Sequence, residues 1–182
     1  MTTAVQPYAG TWTADPVHSS FGFAVEYAGT GRFRGTLDDV TATLTAGGHG
    51  LSLEGAARVD SISIRSPEQF RAHVLGPDFF DADNHPEVRF HSTKVELGDD
   101  GTARLDGELT IAGTTRPVAI AGTWSEPVPA AGGGLRAGLE LATVIDRRDF
   151  GFDWQMELPG GGEALAYDVA LEVNLYVVQP EG

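Results

Sequence analysis

The chain has 182 residues, of which 41% are hydrophobic, and this length suits one all-β domain with a single core. Its 12 basic and 26 acidic residues give a formal net charge of -14, which disfavours nucleic acid and anionic membrane surfaces as partners. No cysteine is present, which excludes disulfides and cysteine-ligated metals, and we find no cofactor-binding motif.

The N-terminal residues MTTAVQPYAGTW contain neither a basic segment nor an apolar run. No later apolar run is long enough to span a bilayer. We therefore expect a cytoplasmic protein without stable membrane insertion. We expect residues 1–10 to form an N-terminal tail, residues 11–178 one barrel domain, and residues 179–182 a C-terminal tail.

Most of the chain alternates apolar or small residues with polar ones, the period-two pattern of a half-buried strand. The clearest alternations cover residues 21–25, 51–59, 105–111, 118–124, 139–145 and 169–175. Turn residues at 47–50, 98–101 and 112–115 predict hairpins, which make sequential strands antiparallel neighbours. The pattern predicts a single extended, antiparallel, lipocalin-like β-barrel of about eight strands.

One short helix is predicted at residues 66–75. Ser66 is a candidate N-cap, Pro67 a first helical residue, and Gln69 the third residue of a capping box. Gly76, followed by a proline, then ends the helix.

Small residues share the inward phase of the strands, at Gly55, Ala57, Gly107 and Gly122. An eight-stranded barrel either fills its interior or holds one small ligand, and glycines at inward positions would leave volume for a ligand. The alternative is that these glycines relieve crowding where strands coil sharply. The pattern leaves both interpretations open.

Aromatic residues cluster on or beside loops and strand ends, where they could line the mouth of a barrel or belong to its core. Adding the inward strand positions and one histidine gives the candidate ligand-binding residues. They are His18, Phe21, Phe23, Val25, Gly55, Ala57, Phe79, Phe80, Phe90, Gly107, Leu109, Gly122, Trp124, Phe150, Phe152 and Trp154.

We predict no catalytic residue and no metal site, because the histidines lack metal-ligand spacing and no nucleophile motif occurs. One polar set combines Asp15 and His18 with the cluster at residues 147–149. This set could polarise a ligand head group or satisfy hydrogen bonds at one end of the barrel. An enzyme would need His18 to point inward as acid or base, with Asp15 or Asp149 to orient it.

Six segments carry a family resemblance. They are WTADPVHS at 12–19, GRF at 31–33, DFFD at 78–81, PEVRFHST at 86–93, GELTIAGTTRPV at 107–118 and RRDFG at 147–151. In order and approximate spacing they resemble the YceI-like family, over residues 11–178. The resemblance implies a lipocalin-like extended barrel with a helix packed against it, whose apolar pore can hold a polyisoprenoid such as a quinone or prenyl lipid. It implies no established enzyme activity, and many members are periplasmic.

The resulting prediction is a protein that binds a long apolar small molecule inside the barrel, as a carrier, storage or sequestering protein. Two alternatives remain: an enzyme that uses the barrel as a dry chamber, and an interaction protein with a filled barrel. The pattern is compatible with a homodimer and does not identify the ligand.

Overall fold

The computed structural model describes residues 4–182, so residues 1–3 of the predicted tail lie outside the described residues. The strands are β1 (Ala4–Val5), β2 (Thr11–Ala14), β3 (Ser20–Tyr27), β4 (Gly31–Leu37), β5 (Val40–Gly47), β6 (Gly50–Arg58), β7 (Glu87–Gly98), β8 (Thr102–Ile111), β9 (Thr114–Trp124), β10 (Val128–Pro129), β11 (Leu135–Asp146) and β12 (Leu165–Gln179). One α-helix, α1, covers Glu68–Leu75, and 3-10 turns cover Val59–Ser61 and Arg147–Phe150.

The sheet closes into an antiparallel barrel because β12 pairs on both of its edges. One edge of β12 pairs with β11, and the other pairs with β2 and β3. In turn β4 pairs with β3, and β5 pairs with β2, so β2/β3 and β4/β5 act as two long strands that are each broken once. Together with β6, β7, β8, β9, β11 and β12 they form a closed barrel of eight strands, which confirms the predicted fold class.

The helix lies beside the edge of β4 that is not paired with β3. Strand β6 pairs with β5 and β7, whereas the edge of β4 that faces away from β3 has, among the described residues, a single bridge from Leu37 to Ile62. Arg71 fastens the helix to this region by donating to the backbone oxygens of Asp60, Ile62 and Ile64. The helix therefore covers one end of the barrel.

The predicted short helix is present but begins later than its sequence signals suggest. Pro67 has an extended backbone, with ψ of 153°, and takes the N-cap position, so Ser66 does not cap the helix. No side chain forms a cap hydrogen bond, and the first helical residue is Glu68. The end at Leu75, followed by Gly76, is as predicted.

Residues 4–10, expected to be a tail, contribute to the far end of the barrel. Strand β1 pairs with the end of β7, and Tyr8 is buried at 2% exposure against Trp12, whose ring centroid lies 5.2 Å away. Trp124 completes this group, which we call the closed end. In the described residues, no helix combines the length and apolarity needed to cross a membrane.

Candidate ligand-binding site

A cavity with a mostly apolar lining, which we call the main cavity, lies at the opposite end of the barrel, the open end. It has a volume of about 630 Å³ and is enclosed by the β3–β4 hairpin, the helix with its following loop, the second 3-10 turn and the start of β12. Its lining residues are Phe21, Phe23, Val25, Tyr27, Thr30, Gly31, Arg32, Phe33, Phe70, His73, Val74, Phe79, Phe80, Ile111, Ile145, Arg147, Phe150, Phe152, Trp154, Met156, Leu165, Val169 and Leu171.

Phenylalanine rings from separate elements meet around this cavity. Phe80, in the loop after the helix, lies 6.3 Å from Phe23 of β3 and 5.5 Å from Phe152 between ring centroids. Phe33 of β4 lies 5.5 Å from Phe70 of the helix. These edge-to-face and tilted contacts join the hairpin, the helix and the loop after the 3-10 turn into one apolar wall.

A second, much smaller space of about 60 Å³, which we call the narrow passage, lies deeper in the barrel. Phe21 and Leu171 line both spaces, which places the passage directly below the main cavity. Beyond the passage, the barrel is filled by fully buried side chains that include Leu105, Leu139 and Val177. The lumen is therefore open at one end and blocked at the other.

The predicted site residues fall into three groups. Those that line the main cavity are Phe21, Phe23, Val25, Phe79, Phe80, Phe150, Phe152 and Trp154. Those that line the narrow passage are Gly55, Ala57, Phe90 and Leu109, together with Phe21. Those that line neither space are His18, Gly107, Gly122 and Trp124.

Gly107 and Gly122 do not leave open volume, which corrects the expectation that both widen the lumen. A Cβ atom on Gly107 would come within 2.6 Å of the Phe90 ring and 2.5 Å of the backbone oxygen of His91. A Cβ atom on Gly122 would collide with the backbone oxygen of Glu140 on the neighbouring strand. Both glycines therefore permit close approach of a neighbour, which is the alternative considered for them.

His18 and Trp124 lie away from the cavity for different reasons. The His18 side chain is 55% exposed, and its Nδ1 lies 2.7 Å from a carboxylate oxygen of Asp15. This hydrogen bond lowers the pKa of Asp15 below its usual value. Trp124 belongs to the closed end, where its indole N–H donates to the backbone oxygen of Gly98 at 2.8 Å. The inward histidine that the enzyme hypothesis requires is thus not supplied by His18.

Arg147 is the charged residue that the structure buries most completely at the open end. It is 3% exposed, and its guanidinium donates to the backbone oxygens of Leu165, Ala166 and Phe152. It also lies over the ring of Tyr167, 4.7 Å from the centroid. Burial lowers the pKa of Arg147, but an arginine remains protonated in proteins. A positive charge therefore borders the apolar cavity.

Several residues that line the main cavity are absent from the sequence-based candidates. Phe33 lies in the GRF segment, and Phe70 lies on the helix, where neither strand alternation nor loop position marked it. Leu165 and Val169 belong to β12, whose alternation was recognised without reference to the cavity. The period-two phase of β12 could have identified both, once β12 was known to reach the open end.

Among proteins of known sequence, the chain is 34% identical over 101 residues to a UPF0312 protein of Pseudomonas putida. That alignment covers 55% of this chain and 50% of the relative, so the chain spans about half the length of the curated relatives that match it first.

Two solved structures have the same fold. BcnA of Burkholderia cenocepacia aligns with a TM-score of 0.72 at 18% identity, covering 90% of this chain and 98% of BcnA. A polyisoprenoid binding domain from Saccharophagus degradans aligns with a TM-score of 0.64 at 10% identity, covering 93% and 98%. The sequence profile of the YceI-like domain matches residues 12–177, and the chain therefore belongs to the YceI-like domain family.

Proposed function

We propose that this protein holds a long apolar molecule, such as a polyisoprenoid chain or quinone, in the main cavity and serves as a carrier, storage or sequestering protein. The observation that carries the proposal is a cavity of about 630 Å³ with an almost wholly aliphatic and aromatic lining, open at one end only. Ligand sites commonly have volumes of roughly 300–1,000 Å³. The shared fold with a polyisoprenoid binding domain supports the same assignment.

The rim of the cavity offers an apolar path of entry. Tyr27, Phe70 and Met156 line the cavity and are 43%, 40% and 44% exposed, respectively. Apolar contact contributes about 25 cal/mol for each Å² removed from water, so an elongated hydrocarbon gains free energy along the whole cavity. The narrow passage gives the end of a long chain further room.

Other functions have less support in the fold. His18 lies on the outer surface, and the cavity volume argues against a filled barrel. The cytoplasmic location and the homodimer stay predictions.

Native mass spectrometry of protein purified from its own host tests the proposal directly. We expect a population whose added mass equals that of a lipid and is lost after delipidation. Protein that never carries such a mass, and that binds no fluorescent isoprenoid after delipidation, would contradict the proposal.

A matched pair of substitutions then locates the site. Val169 lines the cavity, whereas Val144, one position away in register across the β11–β12 pair, is 63% exposed on the outer face. Val169→Phe fills part of the cavity and should weaken binding of a fluorescent isoprenoid. Val144→Phe makes the same chemical change outside the barrel and should leave the affinity unchanged. Equal affinities for both variants would place the ligand elsewhere.

A further inference from the structure

The two arginines that line the main cavity, Arg32 and Arg147, have a charge opposite in sign to the net charge of the protein. The chain has 26 acidic and 12 basic residues. Nevertheless, the lining contains Arg32, His73 and Arg147, and among the described residues no aspartate or glutamate lines it. A cavity for a neutral hydrocarbon needs no cation, because apolar burial alone drives such binding.

Arg147 has no carboxylate partner among the described ion pairs. The carboxylates that act electrostatically on Arg147 are those of Asp146 and Glu163, and each accepts a hydrogen bond from another side chain. Asp146 accepts from Arg148 at 2.6 Å, and Glu163 accepts from the Tyr167 hydroxyl at 2.6 Å. The remaining charged neighbour, Arg148, has the same sign as Arg147.

The hydrogen bonds of Arg147 hold its guanidinium in place without neutralising its charge. Its three acceptors are all backbone oxygens, which carry partial charges only. A guanidinium has five N–H donors in a planar fork, and this geometry matches a carboxylate or phosphate. A buried charge without a counter-ion is unfavourable, so an anion at this position would be stabilised strongly.

The position of Arg147 also fits a ligand with one polar end. Two of its acceptors, Leu165 and Ala166, begin β12 beside the rim, where Leu165 pairs with Tyr27. From Leu165 the lining continues inward along β12 to Leu171, six residues or about 20 Å along the strand at roughly 3.3 Å per residue. A head group at Arg147 thus leaves the tail pointing toward the narrow passage.

We propose that Arg147 binds the acidic head group, a carboxylate or a phosphate, of the molecule held in the main cavity, so that the protein selects anionic lipids over neutral ones. This inference rests on the proposed function and specifies the chemical class of its ligand. The overall charge of -14 repels anions at long range, so a preference for acids has to come from the site itself.

The test compares ligands of equal chain length on delipidated protein. A fluorescent polyene carboxylic acid is titrated against the corresponding alcohol, and a prenyl monophosphate competes against the corresponding prenol. We expect the acidic member of at least one pair to bind about tenfold tighter or more, equivalent to about 1.4 kcal/mol. The pair with the larger ratio identifies carboxylate or phosphate as the head group.

Two variants that each remove one positive charge test whether the preference for acidic ligands depends on Arg147. Arg147→Met should reduce the preference to near unity, whereas Arg148→Met should retain it, because Arg148 pairs with Asp146 and does not line the cavity. Equal binding of acid and alcohol to the wild type would overturn this inference and leave the proposed function standing. An equal loss in both variants would also overturn it, whereas failure of every probe to bind would contradict the proposed function itself.

A second measurement needs no variant, which matters because Arg147→Met also removes three hydrogen bonds to the backbone. A fatty acid labelled with ¹³C at its carboxyl group is bound to the wild type and titrated by NMR. Beside Arg147 the carboxyl pKa should fall below that of the free acid. In an apolar cavity without a nearby cation the pKa would rise, and that result would overturn the inference.

Discussion

The two ends of the barrel are both rich in aromatic residues, but their rings are held differently. At the closed end each ring has a polar atom that donates to a backbone oxygen: Tyr8 to Ser125 at 3.0 Å, and Trp12 to Ala9 at 3.0 Å. Trp124 likewise donates to Gly98. At the open end the wall consists chiefly of phenylalanines, which have no polar atom to anchor.

This difference explains why one end is filled and the other is hollow. A hydrogen bond to the backbone fixes a Tyr or Trp ring at one position and lets it pack tightly against its neighbours. A phenylalanine ring is stabilised only by apolar and van der Waals contacts. A ligand can supply those contacts as well as a protein side chain can. At the open end a ligand can therefore replace protein side chains as a packing partner, whereas the closed end contributes to the stability of the fold.

The largest expected difference between the two ends is in the free energy of unfolding. Trp12 is 1% exposed, so Trp12→Ala should lower the free energy of unfolding by about 3–5 kcal/mol. Phe80→Ala, at the half-buried open end, should cost only about 1 kcal/mol, since it loses ring contacts beside an existing cavity. Denaturant unfolding of delipidated protein measures both. Equal losses would mean that the two ends contribute alike.

Glycine substitutions should produce the next largest effect. Gly122→Ala drives a Cβ atom into the backbone of Glu140 and should cost about 1–3 kcal/mol. Gly55→Ala meets only ordinary contacts, at 3.4 Å to the backbone oxygen of Thr41 and 3.6 Å to Ala42, so its effect should stay within about 0.5 kcal/mol. Thermal melts of delipidated protein compare them. A normal melt for Gly122→Ala would revive the interpretation that this glycine leaves open space.

For ligand affinity the order of the two ends should be reversed, so that a substitution at the open end has the larger effect. Phe80→Ala removes part of the wall of the main cavity and should weaken binding of a fluorescent isoprenoid about tenfold, or about 1.4 kcal/mol. Trp124→Phe alters the closed end only and should leave the affinity unchanged. If Trp124→Phe weakened binding more than Phe80→Ala did, the ligand would have to reach the closed end.

At alkaline pH the closed end should lose stability. Burial, with a smaller contribution from the charge of Glu126, raises the pKa of Tyr8 to about 12 from 10.0. The unfolded chain ionises first, so this stabilisation is complete below pH 10 and is lost as the pH rises toward 12. Tyr8→Phe has no such group, and its deficit relative to the wild type should shrink over that range in melts. A constant deficit would contradict the shift.

At acidic pH the open end should also lose stability, by a smaller amount and as the pH falls instead of rises. Hydrogen bonds from the side chain and backbone of Arg148 lower the pKa of Asp146 from 3.8 to about 2. The associated stability is present above pH 3.8 and is lost as the pH falls toward 2. The difference in melting temperature between the wild type and Asp146→Asn should therefore decrease across this interval. Because Asp146 is on the surface, added salt should reduce the difference.

The sequence alone determined the fold class, because period-two alternation and turn residues act locally along each strand. It also marked Phe79, Phe80, Phe150, Phe152 and Trp154, which lie in loop or turn segments and line the main cavity. Their position followed from a general property of barrels, whose loops and strand ends gather at the two openings.

Only the tertiary structure decided which inward positions border empty space. Alternation shows that Gly122 faces inward, but the obstacle to a larger side chain is the backbone of Glu140, on a strand that is distant in sequence. The same holds for Arg147, whose acceptors Leu165 and Ala166 follow it by 18 and 19 residues. Alternation is a property of one strand, whereas a cavity and a buried charge depend on what neighbouring strands place opposite, and this is set only when the barrel closes.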